Sequence, residues 1–375
     1  MPKTILHVAK YYYPDEGGIE TVTKYLVEGL TDFRNIVICY ATDGKTRTDN
    51  LHGVVVKRVA PMFQVARQDV ALSYYRHLKE LIDTYQPDII NVHCPNPYVY
   101  PIVSGLKPRS AKLVLLWHSD ILTKGMLYKA IKPVERNILK KADLILATSP
   151  NYVHPSSPIF QYKDKVKIVP NGVIADELEM QAGDEEEVAK IREKYDGKPL
   201  ILFVGRHIPY KGIDLLIEAE KHVKHDCRLL IAGRGPKTAE LKRKAQSDRV
   251  IFLGKVSDDE LRRLYHAADI FGFSSVTKQE AFGVALAEAM YCRCVPVTFE
   301  IEGSGVNWLS PDGKTGEVVP LRDVEAYAAA IDKILGNKDL KQQYAEAAHR
   351  RVADNFTSKK VAAEADKIFN QLLEG

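Results

Sequence analysis

Residues 200–220 read LILFVGRHIPYKGIDLLIEAE. Leu200–Val204 is an unbroken apolar run of strand length, the pattern of a strand buried on both faces. Gly205 ends it. From Ile213 onward the apolar residues Ile213, Leu216 and Ile217 fall at helical spacing, so the stretch predicts a strand, a short loop and a helix. Such a unit belongs to a parallel sheet, because parallel strands need a long crossover and a helix usually supplies it.

The same unit repeats outward in both directions. Downstream, Arg228–Ala232, Val250–Leu253, Ile270–Phe273, Cys294–Thr298 and Gly316–Val319 read as strands. Helical patterns at Ala239–Gln246, Asp258–Ala267 and Val284–Tyr291 separate most of them. Upstream, Thr4–Ala9, Ile36–Tyr40, Val54–Val59, Asp88–Val92, Lys112–Trp117, Leu144–Thr148 and Val166–Val169 form an earlier strand set, with helices at Glu20–Leu30 and Val70–Tyr85. Two successive alternating sets predict two doubly wound α/β domains, whose ligands sit at the carboxyl ends of the strands.

The boundary is placed after Val169-Pro170-Asn171-Gly172, where Asn-Gly is turn chemistry and the following stretch 183–198 is polar and strongly charged. From about Leu321 the pattern is helical, broken near Gly336-Asn337 and Asn355-Phe356-Thr357. The expected domains are 1–170 with the C-terminal segment 357–375, and 171–356.

Bulk properties exclude several classes. No apolar run approaches the roughly 18 residues of a membrane span, and the polar, aromatic residues after the first strand do not suit a cleaved signal peptide. The five cysteines, Cys39, Cys94, Cys227, Cys292 and Cys294, have neither metal-ligand spacing nor an even count, which favours buried thiols and a reducing cytoplasm. Charge is uneven. Residues 1–170 carry 23 Lys and Arg against 15 Asp and Glu, while the remainder carries 30 against 34, so the basic excess lies in the first half. Much of it falls in Lys124–Lys141, where Leu127, Ile131, Val134 and Ile138 mark a buried face and Lys129, Lys132, Arg136 and Lys140 take other faces. That is either a solvated helix side or a surface for anionic lipid or a diphosphate-bearing acceptor. Nucleic acid is disfavoured, because no aromatic motif interleaves the basic residues.

Three stretches carry chemistry. In Ser275–Met290, Glu280 and Glu288 flank a Phe282-Gly283 turn that opens a helix. Carboxylates accept hydroxyl hydrogen bonds from a sugar or ribose, and the N–H groups of Phe282, Gly283 and Val284 form a helix N-terminus suited to phosphate. In Phe203–Gly212, Arg206 and Lys211 follow Gly205 and can clamp a diphosphate. Near the amino end, Gly17-Gly18 lies between the first strand and the first helix and directs N–H groups at an anion.

Together with Trp117-His118-Ser-Asp120, Ser149-Pro-Asn151-Tyr152, Gly303-Ser-Gly305-Val and Gly313-Lys-Thr-Gly316, these motifs resemble the retaining glycosyltransferases of family 4 over nearly the whole chain. The resemblance implies the GT-B fold: two Rossmann-like domains with a cleft between them and a C-terminal helix, Ser358–Leu373, crossing back to the first. It implies an acceptor-binding first domain and a nucleotide-sugar-binding second domain. Position by position, Glu280 matches the glutamate on the transferred sugar and Glu288 the one on the ribose. Arg206 and Lys211 match the basic pair on the diphosphate. Gly18 matches the glycine that lies against the phosphates, and His118 the histidine near the transferred sugar. Asp120 is a candidate to assist the acceptor hydroxyl, or else a helix N-cap. Two positions depart from the pattern: Arg234 stands between Gly233 and Gly235 where relatives often have aspartate, and Ile174 follows Asn171-Gly172-Val173.

The closer phrasing is similar to bacterial mannosyltransferases of O-antigen and exopolysaccharide assembly. The expected donor is GDP-mannose, with UDP-hexose or UDP-N-acetylhexosamine as the alternative, and the expected acceptor an undecaprenyl-diphosphate glycan. The chain has no Asp-x-Asp, so no metal is expected at the diphosphate. The expected location is cytoplasmic, peripheral to the inner membrane. A nucleotide-sugar epimerase or a non-catalytic binding module are the readings from other classes.

Overall fold

The computed structural model describes residues 2–15, 17–65, 68–121 and 126–374, with only the backbone at 126 and 127. Lys124 of the basic stretch and Glu16 of the glycine turn lie outside the described residues, as does the side chain of Leu127. The chain divides into unit 1, Met1–Gly172 with Ser358–Gly375, and unit 2, Val173–Thr357.

Unit 1 runs β1 (Lys3–Val8), α1 (Gly18–Gly29), β2 (Phe33–Tyr40), β3 (Arg47–Leu51) and β4 (Val54–Val59). The hairpin β5 (Phe63–Val65) and β6 (Gln68–Val70) leads to α2 (Tyr74–Tyr85), β7 (Ile89–Cys94) and α3 (Val99–Leu106). Then come β8 (Lys112–Trp117), α4 (Met126–Lys141), β9 (Leu144–Ala147) and β10 (Val166–Ile168). The sheet order is β10-β9-β8-β7-β1-β2-β4-β3. All its pairings are parallel except β3 with β4. The chain leaves β1 toward β2 and returns on its other side at β7, so strand order reverses between β1 and β7.

Unit 2 begins with α5 (Ala175–Leu178), α6 (Asp184–Lys194), β11 (Leu200–Val204), α7 (Ile213–Glu220), β12 (Arg228–Ala232) and α8 (Thr238–Lys244). It continues through β13 (Val250–Gly254), α9 (Asp258–Ala267), β14 (Ile270–Phe273), α10 (Val284–Tyr291) and β15 (Val295–Phe299). It ends with α11 (Val306–Leu309), β16 (Glu317–Val319), α12 (Val324–Leu335) and α13 (Lys338–Asn355). Its all-parallel sheet has the order β13-β12-β11-β14-β15-β16, with the reversal between β11 and β14. The last helix, α14 (Ser358–Glu374), belongs to unit 1. It packs so closely on α1 that a Cβ at Gly29 would stand 2.4 Å from that of Ala362.

The structure adds to and corrects the sequence reading. The charged stretch 183–198 is largely helix α6, because Asp184 is buried and bonded by Arg262 and Arg263, while acidic residues fill the first turn and suit its partial positive charge. The helix expected from Val70 starts at Tyr74, because Gln68–Val70 pairs with Phe63–Val65. The edge strand β3 was not anticipated from its polar sequence. It joins β4 through His52-Gly53, both at positive φ, the backbone of a two-residue hairpin turn.

Candidate active site

The residues singled out in unit 2 gather at its strand-order reversal. The loop after β11 carries Gly205, Arg206 and Lys211, and the loop after β14 carries Ser275 and Glu280. Gly212 joins the two loops: it sits at φ +59, and a Cβ there would stand 2.1 Å from Ser274 O. The Ser274 hydroxyl donates to the Lys211 carbonyl at 2.9 Å, and the Val276 N–H donates to Tyr210 O at 2.9 Å. These backbone ties bring the Lys211 ammonium onto Oε2 of Glu280, with both side chains only 12% exposed. Ser275 Oγ donates to the same oxygen at 3.1 Å. Burial alone would lower the Lys211 pKa, but attraction to Glu280 outweighs it and holds it above the ordinary value. Lys211 is therefore a cation at neutral pH. Its Nζ also lies 5.5 and 5.3 Å from the ring centres of Tyr210 and Phe273.

Arg206 is exposed, and among the described residues its guanidinium has no partner. The Glu280 backbone is braced from behind: Ser304 Oγ donates to Glu280 O, and Gly305 N–H donates to Ala281 O at 3.0 Å. Phe282 turns inward against Trp308 and Phe356, at ring separations of 6.4 and 5.6 Å. That leaves Gly283, at φ +94, as the N-cap of α10. The first amides of α10, Val284 among them, have no helical acceptor. Glu288, about one turn on, is partly buried and accepts from Tyr265 OH at 2.9 Å. Burial pushes its carboxyl pKa up, against the pull of that hydrogen bond.

Gly205 also lies against protein backbone. Its closest approach is to protein backbone: a Cβ at Gly233 would stand 2.0 Å from Gly205 O, and one at Gly235 would stand 2.5 Å from His207 O. Two glycine turns, one after β11 and one after β12, thus run in contact, tied by Gly205 N–H to Ala232 O and His207 N–H to Arg234 O, both 3.1 Å. Beside them is a cavity of about 420 Å³ lined by His207, Arg234, Thr238, Lys242, Phe252 and Gly254. In the sequence, Arg234 put a donor-binding role for Gly233-Arg234-Gly235 in doubt, although an arginine there can contact a phosphate.

In unit 1, Gly17 and Gly18 follow β1 at its own reversal, and a Cβ at Gly18 would meet nothing within 4 Å. The loop before them rests on Arg58, which the sequence reading passed over. Its buried guanidinium donates to the carbonyls of Tyr12 (3.1 Å) and Tyr13 and pairs with Asp15 at 3.3 Å and Asp49 at 2.8 Å. His118 follows β8 and is buried. Its Nε2 lies 3.2 Å from His93 Nδ1, while its Nδ1 has no hydrogen-bond partner. Burial lowers the His118 pKa to about 4, so the ring is neutral. Asp120 Oδ1 accepts from Trp117 Nε1 and Ser157 Oγ, both at 2.9 Å, and its N–H donates to Tyr152 OH at 2.7 Å. Those bonds fix the loop that carries His118.

On α4, Lys129, Lys132, Arg136 and Lys140 are all exposed and, with Pro133 and Asn137, line one shallow groove. Among the described residues no helix is long and apolar enough to cross a membrane, and no cluster of three His, Cys, Asp or Glu side chains could hold a metal ion. All five cysteines are free and buried.

Comparison with known proteins assigns the chemistry. Residues 16–177 match the model described as Glycosyltransferase Family 4, and residues 184–351 match that of Glycosyl transferases group 1. The chain is 31% identical to O-antigen chain mannosyltransferase C of Escherichia coli, over 99% of each chain. It is 30% identical to the D-rhamnosyltransferase WbpZ of Pseudomonas aeruginosa, over 94% of this chain and 92% of that one. Its fold is similar to that of the Anabaena protein HepE, solved in complex with UDP-glucose, at a TM-score of 0.78 and 18% identity over 98% of this chain and 99% of that one. The two doubly wound units are those of the GT-B fold, and the chain belongs to the glycosyltransferases, with a family 4 first half and a group 1 second half.

Proposed function

We propose that this enzyme transfers a hexose from a nucleotide sugar, GDP-mannose in the best reading, to a hydroxyl of a lipid-linked glycan during bacterial polysaccharide synthesis. The observation that carries the donor site is the Lys211–Glu280 pair at the strand reversal of unit 2, beside the open N-terminus of α10 and the exposed Arg206. A carboxylate held by a lysine and a serine presents its free oxygen to sugar hydroxyls. Arg206, Lys211 and the amides at 283–284 face the charge that develops on a departing diphosphate, and stabilising developing charge is the largest single contribution in many enzymes. Glu288 takes the ribose. The cavity between Arg234 and Phe252 takes the base, its aromatic face and paired cations suiting a flat, polar heterocycle.

In this reading the transfer retains anomeric configuration and needs no divalent metal, because the cations and amides neutralise the leaving group. His118 is the histidine beside the transferred sugar, and Gly18 meets the phosphates. The names of the mannosyl- and rhamnosyltransferase relatives support a sugar donor of this class and a place in O-antigen assembly. The exposed basic stripe on α4 supports peripheral attachment to the cytoplasmic face of the membrane, each basic residue near an anionic surface adding about 1 kcal/mol. A thermal-shift panel of GDP- and UDP-sugars tests the donor. At 100 times its dissociation constant a true donor stabilises the chain by about 2.7 kcal/mol. A panel that leaves the melting curve unmoved removes the reading. A shift with UDP-sugars alone replaces GDP-mannose by the UDP-hexose or UDP-N-acetylhexosamine alternative.

A further inference from the structure

Three histidines on neighbouring strands of unit 1 form a buried row. His7 is on β1, His93 on β7, and His118 directly after β8, while Asn35 extends the row onto β2. His7, His93 and His118 are all buried. Consecutive contacts link them: Asn35 Oδ1 to His7 Nε2 at 3.1 Å, His7 Nδ1 to His93 Nε2 at 3.4 Å, and His93 Nδ1 to His118 Nε2 at 3.2 Å. The His93 and His118 rings stack at 5.4 Å. Burial lowers the pKa of His7 and His118 to about 4 and that of His93 well below the usual histidine range. Each neutral ring then carries a single N–H, and the question is which nitrogen holds it.

Asn35 answers it from one end. Its Nδ2 donates to the carbonyls of Leu30 and Phe33 at 2.8 and 3.3 Å, so its Oδ1 must be the atom facing His7. An amide oxygen only accepts, which puts the His7 proton on Nε2 and leaves His7 Nδ1 bare. Asn91 Nδ2, 3.2 Å away, donates to that bare nitrogen. His93 Nε2 faces the same bare nitrogen. A proton on His93 Nε2 makes the contact a hydrogen bond, whereas a proton on its Nδ1 leaves two lone pairs opposed in a buried site. His93 Nδ1 is then an acceptor. It is served by His118 and by Thr23 Oγ1 at 3.1 Å, whose hydroxyl can turn from the Ile19 carbonyl, 2.8 Å away.

We propose that Asn35, His7 and His93 are positioning residues that fix His118 as the Nε2–H tautomer and present its bare Nδ1 as an acceptor for a substrate hydroxyl. The unpartnered Nδ1 of His118 is the end of the row that nothing else in the described residues satisfies. The inference rests on the glycosyltransferase reading only for the identity of that hydroxyl, which belongs to the transferred sugar or the acceptor. His118 thus accepts a hydrogen bond and orients a hydroxyl, and the row behind it prevents the opposite tautomer, which would offer a donor.

The test is a long-range ¹H–¹⁵N correlation spectrum of the full chain labelled at its histidine ring nitrogens, without ligand, with His118 assigned by loss of its signals in His118→Asn. The expected spectrum shows His118 protonated at Nε2. In His93→Asn, whose side-chain oxygen replaces the accepting Nδ1, that pattern persists. In His93→Leu it gives way to mixed tautomers. Turnover should follow: His93→Leu loses about tenfold or more in kcat with little change in donor KM, and His93→Asn recovers most of it. A His118 proton on Nδ1 in the native chain overturns the proposal, and so does an unchanged His118 pattern in His93→Leu. Because the spectrum needs no substrate, it stands or falls apart from the function reading, which fails separately if no nucleotide sugar is consumed.

Discussion

The Lys211 ammonium sits on the Glu280 carboxylate in a setting where each side chain is only 12% exposed. The pair couples the group assigned to the diphosphate with the group assigned to the sugar. Sequence spacing put the two on separate loops with separate tasks. The backbone ties at Gly212 and Ser274 make them one unit. Breaking a buried pair from one side leaves an uncompensated charge, whereas removing both charges need not destabilise.

Lys211→Met and Glu280→Gln are each expected to lower turnover by about two orders of magnitude. Each should also destabilise the chain, by about 3 kcal/mol for a pair buried this far. The double variant Lys211→Met with Glu280→Gln is expected to recover much of the stability and none of the activity. Chemical denaturation and initial rates on the four proteins complete the cycle. Additive stability losses would show that the pair is not energetically coupled.

The contact between glycine turns gives a second prediction. Gly233→Ala forces a Cβ to 2.0 Å from Gly205 O at a backbone φ of +120. The atom it meets is backbone and cannot swing away, so the turn carrying Arg206 must move. Gly44, also at positive φ, has open space around its Cβ. Gly44→Ala is expected to cost about 1 kcal/mol of stability, the conformational strain alone. Gly233→Ala should cost more and should also raise the donor KM. Equal melting temperatures for the two variants would refute the steric account.

Much of this was legible in the sequence because the strands are continuous apolar runs: Leu200–Val204, Arg228–Ala232 and Ile270–Phe273 occupy the residues expected of them. Glu280, Lys211 and His118 were singled out because each follows an apolar strand, at the carboxyl edge of a parallel sheet, in a motif of the resemblance. The missed features share another physics. Strand β3 is half-exposed and polar, held by pairing with β4 alone. Arg58 reads as a surface cation in an alternating strand, yet it is buried because Asp15, Asp49 and two carbonyls converge on it from distant positions. The histidine row was invisible for the same reason. His7, His93 and His118 are isolated in the sequence, and only the pairing of β7 between β1 and β8 places them in line.

Glu288 and Tyr265 supply a third prediction. Tyr265 is fully buried and its hydroxyl donates to Glu288 Oε2 at 2.9 Å. Tyr265→Phe removes that bond and leaves the carboxylate free to rotate away from a ribose. The donor KM is expected to rise about tenfold, the value of roughly one charge-assisted hydrogen bond, with kcat nearly unchanged. A fall in kcat at constant KM would move Glu288 from binding the ribose to the chemical step.

The buried histidines also set an acid limit on stability. His7 and His118 titrate near 4 in the folded chain against 6.5 for a free histidine, the cause in both being burial. Between those values the unfolded chain binds protons that the folded chain refuses, so stability rises with pH there. The contribution is complete above pH 6.5 and is lost as pH falls from 6.5 toward 4. Each ring contributes a slope of about 1 kcal/mol per pH unit near pH 5. Glu135 opposes this, because burial raises its carboxyl to about 7 and its folded form gains protons first. Comparing the native chain with His7→Gln removes that background. The native chain should lose more stability than the variant between pH 7 and pH 5, by about 1–2 kcal/mol in urea denaturation. Parallel pH profiles would mean that His7 takes up a proton without leaving the fold, and that the row is not closed to water.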